Sequence, residues 1–148
     1  MTRKLLATND DSLQLILRLT LGIVIFPHGA QKLLGWFGGG GFSATMQGMT
    51  GMGLPGIIVF LVIVAEFLGS LGLITGFLTR FSAFGISVVM LGAIAAVHAK
   101  VGFFMNWMGQ QQGEGFEYHL LVLGIALALM IRGGGAFSVD GALQGSRS

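Results

Sequence analysis

Two ionisable residues stand alone inside long apolar stretches, Arg18 and Glu66. In hydrocarbon a charged side chain at mid-helix costs about 2.5–3.5 kcal/mol on insertion scales, so each needs a partner. Glu66 lies 11 residues beyond Pro55, or about 16 Å along a helix axis, close to a bilayer midplane. Arg18 lies about 8 Å into the first apolar run, leaving about 9 Å of depth between them. An arginine stem pointing inward spans most of that, so an Arg18–Glu66 pair is expected. Such a pair has two uses. It locks two helices together, or it holds Glu66 as a proton acceptor beside a cofactor or substrate.

A second set gathers at the opposite end. His28 and Lys32 come from the first apolar run, His98 and Lys100 from the third, Glu117 and His119 from the fourth. All three histidines of the chain thus reach one side. With Trp36, Trp107 and the Phe103–Phe104 pair nearby, this set suits a quinone headgroup. Quinone carbonyls need hydrogen-bond donors, and their reduction needs proton partners that titrate near neutrality. Histidines also bind copper, zinc or haem, but no two here have HxH or HxxxH spacing, so no metal ligand is named. The plain alternative is that tryptophan, lysine and histidine at helix ends anchor a protein at the membrane surface. The chain has no cysteine, which excludes thiolate catalysis, disulfide exchange and iron–sulfur ligation.

The elements that must position these groups are transmembrane helices. Of 148 residues, 53% are hydrophobic and 9% charged, against about 25% charged in a soluble domain. Crossing about 30 Å of hydrocarbon takes about 20 apolar residues. Four runs approach this, near 13–34, 55–78, 81–104 and 117–132. The first is read as a retained helix and not a signal peptide, because Asp10 and Asp11 precede it and Arg18 interrupts it. On it Arg18, Gly22, Ile25, Gly29 and Lys32 share one inward face. Phe42, Met46 and Met49 fall on one face of a short helix between the first two runs, which predicts an interfacial helix lying on the membrane. Gly72 with Gly76, and Gly92 with Ala96, have the small-xxx-small spacing that lets membrane helices approach. Arg3, Lys4, Arg80, Arg132 and Arg147 would be cytoplasmic, and Lys32 and Lys100 outside, which puts both termini inside. The expected architecture is a single all-α domain over residues 1–148, a four-transmembrane-helix bundle in the inner (cytoplasmic) membrane.

Six segments taken in order resemble the DoxX family of small bacterial membrane proteins. They are Phe26-Pro27-His28-Gly29-Ala30-Gln31-Lys32-Leu33, Ala65-Glu66, Gly76-Phe77-Leu78-Thr79-Arg80, His98 with Gly102-Phe103-Phe104, Gly113-Glu114-Gly115-Phe116-Glu117, and Gly133-Gly134-Gly135-Ala136-Phe137-Ser138-Val139-Asp140. The resemblance implies a link to quinone chemistry, since the family takes its name from a subunit of a quinone-linked thiosulfate oxidoreductase. It also implies membership of redox-stress membrane complexes, a role other relatives are tied to. Without cysteine a thiol-active role falls away, leaving a quinone-facing or scaffolding one, and no catalytic residue is carried over.

Three functions follow from these readings. The first is a membrane subunit of a quinone-linked oxidoreductase system, with a soluble or membrane redox partner. The second is a non-enzymatic scaffold or assembly partner that docks through Gln110, Gln111, Gln112 and Glu114. The third is a small-solute carrier, which four helices could build only as a homo-oligomer. Eight basic residues against six acidic ones, scattered singly, form no nucleic-acid surface.

Overall fold

The computed structural model describes residues 6–8 and 10–145. Among these the chain is all-helical, with six α-helices and one 3-10 turn. Helix α1 spans Ser12–Leu34, α2 Gly41–Gly51, α3 Gly56–Thr75, α4 Thr79–Ala96, α5 Glu117–Arg132 and α6 Val139–Gly145; the 3-10 turn is His98–Lys100. Three of them, α1, α3 and α4, are long and apolar enough to cross a membrane. Helix α5 has 16 residues, about 24 Å at 1.5 Å per residue.

Helix α1 starts where Asp11 accepts a hydrogen bond from the Leu13 amide (2.8 Å) and stops at Gly35, which is left-handed (φ 74°). It runs antiparallel to α3, and two glycines set how closely. A Cβ on Gly29 would lie 2.6 Å from the Phe67 backbone nitrogen, and one on Gly22 would lie 2.8 Å from Ile74. Only hydrogen fits at such an approach, as in small-residue membrane interfaces. The expected glycine pair on α3 is divided instead. Gly72 abuts Ser82 of α4, while Gly76 adopts φ 70° and ends the helix. Gly92 on α4 has no neighbour that a Cβ would touch. The shared core is made by Leu21 and Ile25 (α1), Leu73 (α3), Ile86 and Met90 (α4), and Val122 and Leu129 (α5). Outside it, Ile16, Ile57, Leu68, Phe84, Leu91 and Leu121 point away from the protein, an apolar shell suited to lipid.

Helix α4 is shorter than its apolar run predicts, which continues to residue 104. Gly102 takes φ 122°, and the stretch 102–104 pairs backbone to backbone with 115–117. The carbonyls of Gly102, Phe103 and Phe104 accept from the amides of Phe116, Glu117 and Gly115 at 2.9–3.1 Å. Those groups are spent on a loop hairpin, so His98 and Lys100 ride a separate turn and not the helix. The short α2 forms as its apolar face suggests. It buries no residue fully, and Phe42 meets Phe60 of α3 edge-on at 6.5 Å. Helix α6, with only seven residues, was not expected.

The expected Arg18–Glu66 pair does not form. Facing contacts at Gly29–Phe67 and Gly22–Ile74 put Glu66 opposite residue 30 of α1, about 18 Å along the axis from Arg18. The sequence estimate erred by letting α1 and α3 start and stop at the same depth. In fact α3 begins about six residues, near 9 Å, beyond the level where α1 ends. Arg18 is 1% exposed and spends its five N–H donors on five backbone carbonyls instead. Nε donates to Gly134 (2.9 Å), Nη1 to Leu73 (3.2 Å) and Ile74 (2.6 Å), and Nη2 to Ala136 (3.1 Å) and Phe137 (2.8 Å). Leu73 and Ile74 lie in the last turn of α3, where carbonyls lack helical partners and the helix dipole is negative. Asp140, 1% exposed, does the converse for α4. Its Oδ1 and Oδ2 accept from the Leu78 and Thr79 amides at 2.8 and 2.9 Å. A guanidinium and a carboxylate therefore grip the α3–α4 turn from its two sides. Arg80 adds a tie at this end, donating to the carbonyls of Ala7 and Met130. Ala7, Thr8 and Asp11 thus meet the segment at 133–145 at one end of the bundle; Arg3, Lys4 and Arg147 lie outside the described residues.

Candidate functional site

At the other end, the close approach at Gly29 brings Glu66 beneath Lys32. The two join at 2.6 Å between Lys32 Nζ and Glu66 Oε2, and Glu66 is 5% exposed. His28 sits one turn before Lys32 on the same face of α1. Its ring faces Tyr118 of α5, with ring centroids 6.4 Å apart. The Glu66 carboxylate is near enough for its charge to act on both His28 and Tyr118. Tyr118 and His119 are neighbours in the first turn of α5, so their side chains diverge by about 100°. Tyr118 turns toward His28, and His119 toward His98, with imidazole centroids 4.2 Å apart. His98 Nδ1 lies 2.7 Å from the Glu114 carbonyl oxygen. A carbonyl only accepts, so Nδ1 carries the proton and Nε2 of the neutral ring is an acceptor.

The result is one row of polar side chains: Lys32, Glu66, His28 and Tyr118, then His119 and His98. Two atoms within it are buried without any hydrogen-bond partner among the described residues, Tyr118 Oη and His119 Nδ1. Leaving such a group unpaired costs about 1–3 kcal/mol, so buried polar atoms in this state call for an explanation. The third atom of this kind, Thr79 Oγ1, is at the opposite end, beside the Asp140 clamp.

Most of the residues singled out by sequence meet here, with exceptions. His28, Lys32, His98 and His119 belong to the row, and Glu66 joins them in place of Arg18. Glu117 is used by the loop, its Oε2 accepting from the Met105 amide at 3.0 Å. Lys100 is exposed on its turn. Tyr118, the single tyrosine, was missed although it lies between two chosen residues; its place beside Glu117 and His119 was the available signal. Asp140 was missed too, having been read only as part of a terminal motif. Among the described residues no group of three or more His, Cys, Asp or Glu has geometry to hold a metal ion. A cavity of about 430 Å³ lies at the clamp end, bordered by Thr8, Asp10, Gly135, Ser138 and Gln144. Its polar walls already bond to one another, through Gly135 N to Thr8 Oγ1 and Ser138 Oγ to Gly135 O, so it is a weaker candidate than the row.

The DoxX family model matches residues 13–99, from the start of α1 to the 3-10 turn. This chain belongs to the DoxX family. The matched stretch contains His28, Lys32, Glu66 and His98 and stops short of Tyr118 and His119. The DoxX protein is also 34% identical over 132 residues to the inner membrane protein YqjF of Escherichia coli (strain K12), covering 88% of this chain and 92% of that one. It is 32% identical over 115 residues to a Bacillus subtilis (strain 168) protein named "Putative oxidoreductase CatD", covering 78% and 76%. No solved structure matches it. With its three apolar helices, the DoxX protein is a multi-pass protein of the inner (cytoplasmic) membrane, surrounded by lipid.

Proposed function

We propose that this DoxX protein is a membrane subunit of a quinone-linked oxidoreductase system and binds a quinone headgroup at the Glu66–Tyr118–His119 row. The reading rests on two buried atoms of neighbouring residues, Tyr118 Oη and His119 Nδ1, which lack hydrogen-bond partners among the described residues. A headgroup bearing oxygen atoms would satisfy both, while the apolar shell suits its isoprenoid tail. The bound quinone supplies two-electron, two-proton redox chemistry. Tyr118 and His119 would orient it, and Glu66 and His98 would hold or pass protons. The relative that bears the name "Putative oxidoreductase CatD" supports the oxidoreductase part of this reading.

The topology that goes with it has α5 as a fourth span, both termini cytoplasmic, and α2 resting in the headgroup layer. Arg80 and Arg132 then lie inside and Lys32 and Lys100 outside, as the positive-inside rule requires. The test is lipid extraction from gently purified protein, followed by mass analysis for quinone. The parent should retain it, and Tyr118→Phe combined with His119→Leu should lose at least nine-tenths while keeping the parent's melting temperature. Equal retention by the variant would rule out this site.

A second reading, an assembly partner without a reaction of its own, is favoured by Trp107 and Met108. They are 83% and 84% exposed at the tip of the loop that bears Gln110–Gln112. Crosslinking from position 111 in intact membranes should then capture a partner protein, and lipid adducts alone would refute the reading.

A further inference from the structure

We propose that α2 carries a site for a soft monovalent metal ion, Cu(I) by its chemistry, built from the thioethers of Met46, Met49 and Met52. The site is separate from the polar row and stands whether or not a quinone binds there.

Between Phe42 and Leu54 every apolar side chain larger than alanine is methionine, and the three follow one another at intervals of three residues. Apolar surface alone does not ask for this. Helix α3, which comes next, builds its surface from isoleucine, leucine, valine and phenylalanine and contains no methionine. What methionine adds to bulk is a polarizable sulfur with lone pairs. No harder ligand competes with it locally, because residues 33–65 include no Asp, Glu, His, Lys or Arg. The side chains here therefore offer soft, uncharged ligands. Thioethers select Cu(I), whereas zinc and nickel favour imidazole and calcium and magnesium take carboxylates; this stretch has neither.

Met46 and Met49 lie on α2, and Met52 caps its end with its amide still bonded to the Gly48 carbonyl one turn back (3.2 Å). The helical register therefore runs through all three. Residues three apart on a helix have Cβ atoms about 5–6 Å apart, a gap that two flexible thioethers close around one ion. Met46 and Met52 are about 9 Å apart along the axis, too far to bracket an ion without Met49. Met49 belongs to both pairs and is the indispensable ligand, with Met46 and Met52 alternating as the second. The sulfurs are reachable, since α2 buries no residue fully and Met52 is 67% exposed. The turn that carries them is held by Thr50 Oγ1, which donates to the Met46 and Gln47 carbonyls at 2.7 and 3.2 Å. Met90, by contrast, is packed in the shared core.

The test uses the full-length protein in lipid nanodiscs with its methionine methyls labelled with carbon-13. Silver nitrate in chloride-free buffer is the first probe, Ag(I) being a redox-inert stand-in for Cu(I). The methyl resonances of Met46, Met49 and Met52 should shift, and those of Met105 and Met108 in the other loop should not. Cu(I) itself is then titrated under argon in competition with the chelator ferrozine. Met49→Leu should weaken binding by about tenfold or more, the loss seen when even an indirect support of a metal ligand is removed. Met46→Leu and Met52→Leu should each cost only about twofold, the statistical factor for losing one of two equivalent pairs. Leucine is close to methionine in volume, so all three variants should keep the parent's melting temperature. Absence of shifts at the three methyls, shifts at Met105 and Met108 in their place, or a Met49→Leu variant that binds Cu(I) like the parent would overturn the proposal.

Discussion

Replacing Arg18 with methionine asks whether this buried guanidinium serves the backbone or the carboxylate of Glu66. Methionine keeps much of the stem's volume and removes all five donors. Five carbonyls then lose charge-assisted bonds worth about 1.5–3 kcal/mol each. Against that loss stands relief from holding an ion in a site where the guanidinium is 1% exposed, several kcal/mol in the other direction. The net expected destabilisation is about 3–5 kcal/mol, the range for breaking one partner out of a buried ionic network. Size alone does not identify the partner, so the assay is a double-mutant cycle, with unfolding followed by circular dichroism in mixed dodecylmaltoside–SDS micelles. Arg18→Met with Glu66→Gln should be additive within about 0.5 kcal/mol, as for sites lacking shared contacts. Arg18→Met with Asp140→Asn should couple by about 1 kcal/mol or more, since both grip the α3–α4 turn and their charges interact. Coupling above 1 kcal/mol to Glu66, or none to Asp140, would refute the clamp and restore the arginine–glutamate pair expected from the sequence.

Three further outcomes are expected. Gly29→Ala places a methyl 2.6 Å from the Phe67 backbone nitrogen, and a backbone atom cannot swing aside. It should cost about 1–3 kcal/mol, whereas Gly124→Ala, with open space at its Cβ, should be neutral or stabilise by up to about 1 kcal/mol in the same unfolding assay. Lys32→Met leaves the buried Glu66 carboxylate unpaired and should destabilise by about 3 kcal/mol, with Glu66→Gln in the same chain recovering most of it; failure of that rescue would count against the ion pair. Single cysteines at Gln111 and Ala142 report topology in intact spheroplasts. A membrane-impermeant maleimide should label the first and not the second, and labelling of both would contradict a fourth span.

Much of this was legible in the sequence because lipid leaves few choices. The apolar runs, the Phe42–Met46–Met49 face and the Glu117–Arg132 helix follow from periodicity and hydropathy, as does the convergence of His28, Lys32, His98 and His119 at one end. What escaped were features set by relative depth and by backbone groups. The sliding of α3 against α1 is fixed by contacts at Gly22 and Gly29, and no count from Pro55 could supply it. The partners of Arg18 and Asp140 are carbonyls and amides, which every residue possesses, so no side-chain pattern marks them. Helix α4 was overextended because Val101–Phe104 are apolar, while the backbone pairing with 115–117 depends on residues beyond the run.

The α3–α4 turn draws two of its ties from one residue, Asp140, about sixty positions downstream. During synthesis, α3 and α4 leave the ribosome while Asp140 and the Gly134–Phe137 carbonyls do not yet exist. The nascent hairpin is therefore inserted with Arg18 unsated and its bend uncapped, and it closes only when the last segment arrives. A ribosome that stops early releases a protein with every membrane crossing in place but an exposed, charged wound at one end. Membrane-bound proteases that survey such defects would have a direct way to tell finished chains from fragments.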